Sequence, residues 1–381
     1  MATVNQIYGI VNDSASEALG SAITVKDTAG LVTLGDRILN SETDKDNFYK
    51  ALTDRIGRTV IAVRNYEASN RSVKRDEMEW GLVYQKISYK KRNAVENPTW
   101  ETATQANPFD VEISTEAVQK LFSRIGTYSF EDSIPDTQLF TAFTNASTMG
   151  AFISGIYTNM YNYMALAEED LANLAVSTNI AGVLAKGKAT QKRNLLKEYN
   201  TVTGETLTVE KCLRNLDFLK YASREINIVT QNITKMSTLY NTTNDIPRFT
   251  PNDKMVVEIL GQFASACDSY LQADTYHKEL VALPNYEKVV YWQAPGNTFG
   301  FTDVSTVDIK NSEISEQAVK QTGVLAFVHD YDSCASIIYR RRSHSIYNPR
   351  AERFNIFEKA DKGYAVDLSE NAVVFYVADE A

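Results

Sequence analysis

The chain has 381 residues, 44% hydrophobic and 23% charged, which exceeds one average domain and excludes disorder, collagen and coiled coil as overall descriptions. Its 48 acidic and 39 basic side chains leave a net charge of −9, which argues against a surface dedicated to coating DNA. No apolar run nears the roughly 20 residues of a membrane-spanning helix, and the start lacks a basic end followed by an apolar core, so the expected protein is made in the cytosol and has no membrane partner.

Residues 1–45 are rich in Ser, Thr, Asp, Asn and Gly with scattered apolar positions, and read as an arm with no core of its own that orders only against something else. Phe48, Leu52 and Ile56 recur at helical spacing, Gly57 stops that helix, and TVIAV begins a strand. Between Arg64 and Asn107 eight basic residues face six acidic ones, a net basic stretch in a net acidic chain. Within it EWGLVYQKISY alternates, placing Trp80, Leu82 and Tyr84 on one face and Val83, Gln85 and Ile87 on the other, as in a long two-stranded projection over residues 66–106 that must lean on a neighbour.

TEAVQKLFSRI (115–125) and residues 137–181 read as helices, the second carrying one apolar stripe through Met149, Phe152, Ile153, Ile156, Met160, Met164, Leu171 and Leu174. Some thirty residues of helix span about 45 Å, long enough for a structural spine. From Gly187 to about Gln321 the pattern is mixed α/β: CLRNLDFLKYASREI and QFASACDSYLQADTYHKEL as helices, MVVEIL and KVVYWQ as strands. The tail returns to β character in VLAFV, ASIIYR, FNIFEK, YAVDL and NAVVFYV, separated by the turn-like HDYDS, YNPR and DKG.

Little of this carries chemistry. GVLAKGKAT (182–190) matches a phosphate-binding loop except at Ala189, where a hydroxyl is required, and a helix rather than a strand precedes it; a Gly/Lys hinge ending the long helix is the plainer reading. Cys212, Cys267 and Cys334 lack CxxC spacing and read as reduced, buried thiols. His277, His329 and His344 have no partner at metal-ligand spacing, and His329 reads as a solvated loop residue. In RRRSHS, strand alternation places Arg340 and Arg342 on one face and Arg341 on the other, so salt bridges compete with phosphate contact. No enzyme activity, cofactor or metal is expected.

The order of arm, basic hairpin, spine helix, inserted α/β unit and returning strands resembles the Hong Kong 97-type major capsid protein of tailed bacteriophages, an α+β fold. FYKALTDRIGRTVI from Phe48, FISGIYTNMYNYM from Phe152, IYNPRAERFNIF from Ile346 and NAVVFYV from Asn371 are similar to segments of small phi29-type podoviruses. The resemblance implies an N-terminal arm and first helix over 1–61, an extended-loop hairpin over 62–113, a peripheral domain with the spine over 114–186, an axial domain over 187–321 and peripheral return strands over 322–381. It further implies self-assembly into hexamers and pentamers of an icosahedral or prolate virion shell around double-stranded DNA that is enclosed without sequence-specific binding. A portal protein and a separate scaffolding protein are the other implied partners, since no charged helical scaffold segment precedes the core and no decoration domain follows it. Arg71, Lys74, Arg75, Trp80, Leu82, Tyr84, Arg340 and Arg342 are the expected inter-subunit contacts. The alternative is an encapsulin-type nanocompartment shell around cargo enzymes.

Overall fold

A computed structural model describes residues 4–39, 41, 43–44, 47–48, 51, 72–75, 84–90, 116–122, 126–135, 146–273 and 285–379. The longest element among the described residues is a helix, the spine. It spans Ala146–Lys186, 41 residues, or about 60 Å at 1.5 Å per residue. Its first half is amphipathic, with Ile156, Met160 and Met164 buried while Tyr163 and Leu166 face outward. From Leu171 to Val183 burial runs around the whole helix except at Leu174, because small residues such as Ala172, Ala175, Ser177 and Ala181 allow neighbours to approach on every side. The helix ends where the Gly187 amide donates to the Val183 carbonyl at 2.7 Å.

In chain order the helices are α1 (Val4–Leu19), α2 (Thr28–Leu39), α3 (the spine), α4 (Leu195–Thr203), α5 (Val209–Cys212), α6 (Leu216–Ile233), α7 (Gly261–Ala273) and α8 (Phe301–Val304). Residues 4–39 differ from the expected arm. Val11, Ala15, Leu31, Leu34 and Ile38 of α1 and α2 form a cluster with Ile156, Met160 and Met164 of the spine, so the segment borrows its core from its own chain rather than from an outside partner. The helix expected from Phe48 and the TVIAV strand lie mostly outside the described residues, although Phe48 itself is buried.

Two sheets flank the spine. One has the strand order β5-β13-β10-β6-β7, built from Lys192–Asn194 (β5), Ala372–Tyr376 (β13), Val324–Asp330 (β10), Met255–Leu260 (β6) and Glu287–Val289 (β7). Its central strand β10 is buried at every position, as a continuous apolar run with cover on both faces must be. The other sheet has the order β1-β11-β12-β4, from Lys74–Arg75 (β1), Cys334–Asn348 (β11), Arg353–Val366 (β12) and Gly126–Pro135 (β4). Here DKG is no turn: β12 runs through it as one strand, pairing Lys362 with Ile338 and Asp361 with Arg340 across a bulge in β11. A three-residue polar run in a strand whose partner β11 is equally long keeps the ladder intact, and local turn propensity loses to it.

The described part of TEAVQKLFSRI, residues 116–122, is likewise not helical. Ala117–Phe122 forms a strand, β3, antiparallel to β2 (Tyr84–Tyr89), with Ile87 opposite Gln119 and Tyr84 opposite Phe122. Apolar residues at 118, 121 and 122 fit a helix face locally, but alternation of exposed and half-buried positions along the strand is what the partner selects. The described ribbon thus takes its second strand from beyond residue 113, the expected end of the hairpin, and most of the expected projection over 66–106 lies outside the described residues.

The α/β unit packs α4 to α8 around Phe218, Phe263 and Trp292, whose indole N–H donates to the Val324 carbonyl at 2.9 Å. CLRNLDFLKYASREI is broken: Asn215 caps α6 by accepting from the Phe218 amide at 3.0 Å, leaving Val209–Cys212 as a separate turn of helix. A small ribbon of Val307–Ile309 (β8) and Val319–Gln321 (β9) completes the unit. KVVYWQ contributes strand only at its start, and QFASACDSYLQADTYHKEL is helical to Ala273, beyond which it lies outside the described residues.

Candidate functional site

The β2–β3 ribbon hydrogen-bonds to no third strand among the described residues, so side chains must hold it. Its two faces differ in kind. One carries Lys86, Ser88 and Lys120 and is turned toward the Asp367–Glu370 turn; the other presents Ile87, Tyr89 and Leu121, each more than half exposed. Diagonal neighbours across an antiparallel pair lie within reach of large side chains, so Ile87 and Leu121 form a continuous apolar strip.

The inward face is a charge clamp. Lys86 Nζ lies 3.0 Å from Asp367 Oδ2 and 2.5 Å from Glu370 Oε1, and Lys120 Nζ lies 2.7 Å from Asp367 Oδ1. Arg248 reaches Glu370 at 3.3 Å and donates to Ser88 Oγ at 2.5 Å. Ser369 donates its amide and hydroxyl to Asp367 Oδ1 at 3.0 and 2.6 Å. Burial alone would raise the Asp367 carboxyl, but the Lys86 and Lys120 ammoniums hold it well below the usual carboxylate range. Burial likewise works against the Lys86 ammonium, and the carboxylates of Asp367 and Glu370 outweigh it, so the group stays charged above its ordinary range. Phe122 adds an apolar anchor against Ala335, Ile337, Tyr339 and Ala365.

The root of the segment leading into the ribbon is also fixed. Val73 is buried in the main core, the Ser72 amide and hydroxyl donate to the Glu287 carboxylate, and β1 runs parallel to β11 at Ser336 and Ile337. Arg75 stacks over the Tyr331 ring and lies 3.7 Å from Asp332.

Under the spine sits a second buried charge set. Glu168 accepts from Arg341 Nη2 at 2.8 Å and faces Lys362 Nζ at 3.4 Å. Arg342 and Arg340 lie 2.5 and 3.4 Å from Asp361, which also accepts from the Thr127 hydroxyl at 2.8 Å. That hydroxyl and the two guanidiniums hold the Asp361 carboxyl below its usual range. The alternation expected for RRRSHS is thus realised, with Arg341 on the spine side and its two neighbours on Asp361.

Of the expected contact residues, Lys74 and Arg75 form β1, and Arg75, Arg340 and Arg342 meet carboxylates of the same chain. Arg71, Trp80 and Leu82 lie outside the described residues, and Tyr84 is described as part of the β2 ladder only. Sequence reasoning missed Asp367, Glu370 and Arg248, for which DLSE and PRF carry no signal, and it singled out the face of Trp80, Leu82 and Tyr84 rather than that of Ile87.

The remaining motifs have structural employment. Lys188 Nζ donates to the carbonyls of Thr238 and Thr243, at 2.5 and 2.8 Å, while Thr190 and Gln191 bind those of Leu239 and Tyr240. The lysine that a nucleotide loop would aim at phosphate is therefore committed to a neighbouring loop, and what was expected as a hinge is a latch. His329 is not a solvated loop residue. It is buried in β10, stacked on Phe327 at 4.6 Å with Nδ1 2.9 Å from Ser333 Oγ, and burial pushes its pKa down because the imidazolium loses its hydration. The three cysteines are buried thiols outside any disulfide, and burial pushes Cys212 and Cys267 up to about 12 and about 11.

Comparison with known proteins gives concordant matches. Residues 10–376 match the family described as Phi29-like phage major capsid protein. The major capsid protein of Bacillus phage GA-1 is 27% identical over 218 residues, covering 54% of this chain and 45% of that protein, so the match spans under half of the relative's own length. Among solved structures, the capsid of Staphylococcus phage Andhra superposes with a TM-score of 0.53 at 9% identity, covering 84% of this chain and 86% of that one. A chain from the head fiber and inner core protein structure of bacteriophage P68 gives 0.52 at 11% identity, covering 80% and 83%. At such identities these likenesses concern the fold.

Proposed function

The chain belongs to the Phi29-like phage major capsid protein family and has the Hong Kong 97-type capsid fold, and from that premise we propose that it builds the head shell through the outward face of its ribbon. The family is structural rather than enzymatic, and a capsid subunit self-associates; the family match selects the phage head over the encapsulin-type alternative. The observation that carries the proposal is the ribbon's two-sidedness. One face is consumed by its own chain, and the other leaves Ile87, Tyr89 and Leu121 for a second copy. Apolar contact of this size is weak alone, and repetition around a ring makes the shell stable collectively while each contact stays reversible enough to correct errors.

In this reading residues 62–113 belong to the extended loop, 187–321 to the axial domain, and 114–186 and 322–381 to the peripheral domain, with 1–61 as arm. Arg71, Trp80, Leu82 and Tyr84 add contacts on the ribbon's continuation. Lys74, Arg75, Arg340 and Arg342 contribute as well, Arg340 most of all because its side chain is 61% exposed. Synthesis takes place in the host cytoplasm. A scaffolding protein and a portal take part in assembly, and double-stranded DNA is enclosed without tight binding, which the net charge of −9 favours.

The test is expression of the full chain with a scaffolding protein, followed by sedimentation and negative-stain microscopy. Wild type should give shells, and the double variant Ile87→Asp, Leu121→Asp should remain unassembled with an unchanged melting transition. Normal shells from that variant would remove the outer ribbon face from assembly.

A further inference from the structure

We propose that the Asp367–Glu370 turn is a mechanical linkage through which Gly182 of the spine sets the attitude of the ribbon, with Leu368 as the contact between them. The proposal deepens the assembly reading, because the ribbon is the surface offered to a second copy. Its first support is a close approach. A Cβ at Gly182 would lie 2.6 Å from Leu368 Cδ2 and 2.9 Å from Cδ1, so the Leu368 side chain rests directly on the spine backbone and follows any displacement of it. No other residue type leaves that seat open.

The turn's own backbone is tied to residues outside the ribbon. The Asp367 amide donates to the Ser333 carbonyl at 2.7 Å, and the Thr242 amide and hydroxyl donate to the Leu368 carbonyl at 3.2 and 2.7 Å. It therefore moves as a piece rather than absorbing a push by crumpling.

The third support is where the turn's carboxylates go. Lys86 on β2 and Lys120 on β3 meet different oxygens of the one Asp367 carboxylate, so a shift of Asp367 carries both strands together and tilts the ribbon as a unit. Glu370 holds Lys86 from the other end of the turn. With no third strand hydrogen-bonded to the ribbon among the described residues, this clamp, the Lys86 hydrogen bond to the Asp332 carbonyl, the Arg248–Ser88 bond and the Phe122 contact help to hold its angle. Gly182 and Leu368 are thus positioning residues that act through the turn.

Hydrogen exchange on the unassembled full-length subunit tests this whether or not shells form, so failure of the linkage and failure of the assembly reading are read separately. Gly182→Leu should raise exchange of the β2 and β3 amides by roughly tenfold while those of β10 stay at wild-type rates, since local opening is independent of the core. Leu368→Ala should raise ribbon exchange by a smaller factor, and combining it with Gly182→Leu should restore ribbon protection, because the new side chain fills the vacated seat. Wild-type ribbon exchange in a folded Gly182→Leu variant overturns the linkage. So does a rise spread equally over β10, or a double variant no better than Gly182→Leu. If Gly182→Leu does not fold, Leu368→Ala decides alone: faster ribbon exchange over an unchanged β10 supports the linkage, and unchanged exchange overturns it.

Discussion

Glu168→Ala and Lys362→Met should have unequal consequences although the two side chains face each other. Lys362 is 1% exposed, 3.4 Å from Glu168, with the Phe130 ring centroid 5.8 Å from its ammonium, and Arg341 shares the same carboxylate. Removing Glu168 leaves two cations without it, and breaking a buried pair from one side costs about 3–5 kcal/mol. Glu168 keeps some contact with water, so the lower end, about 3 kcal/mol, is expected. Lys362→Met instead removes one buried charge, leaves Arg341 on Glu168 and keeps the stem's packing, so stability should stay within about 1 kcal/mol of wild type.

At about 2.1 cal/mol/K of unfolding entropy per residue, 3 kcal/mol shifts the melting temperature of a chain this long by only about 4 °C. Denaturant titration of the unassembled subunit is the sharper assay. The pH dependence adds a second check. Burial depresses the Lys362 pKa, Arg341 adds to that, and Glu168 opposes it. A lysine with a depressed folded value costs stability while charged and returns it as pH rises through the folded value, the recovery ending near the unfolded value of about 10.4. Loss of Glu168 lowers the folded value further, so the lysine's part of the Glu168→Ala deficit should shrink between neutral pH and about pH 10. Equal losses in the two variants, or a deficit that widens with pH, would refute the reasoning.

Lys86→Met should speed proteolytic cutting within residues 84–90 without moving the main unfolding transition; in wild type the same protection should persist in mild acid and fail only as pH falls through the depressed Asp367 value, well below about 3.9, because a carboxylate of that kind stabilises above its unfolded pKa. A loss of protection near neutral pH would mean that another group controls the clamp. Cys212 and Cys267 should resist alkylation at about pH 8 in the folded subunit and react on unfolding, since burial suppresses their thiolates; rapid labelling of the native protein would contradict the buried sites. Lys188→Ala should lower stability by about 2 kcal/mol through two lost charged hydrogen bonds to carbonyls, with no effect of magnesium and ATP on the melting of wild type. Nucleotide stabilisation that disappears in the variant would restore the phosphate-loop reading.

Local pattern and order along the chain were enough for much of this protein. The apolar spacing of Ile156, Met160 and Met164, the continuous run VLAFV and the closing NAVVFYV each announce their element, because a spine helix and buried central strands repeat one environment over many residues. The order of those parts carried the capsid resemblance. Tertiary structure decided what depends on a distant partner. Ala117–Phe122 is a strand because β2 pairs with it, DKG is extended because β11 continues alongside, and residues 4–39 fold because the spine lends them Ile156 and Met160. The clamp shows the same reason most plainly. Lys86, Lys120, Arg248, Asp367 and Glu370 are separated by up to 284 residues and carry no shared spacing, so only the fold could place three cations around two carboxylates and leave Ile87, Tyr89 and Leu121 as the face turned outward.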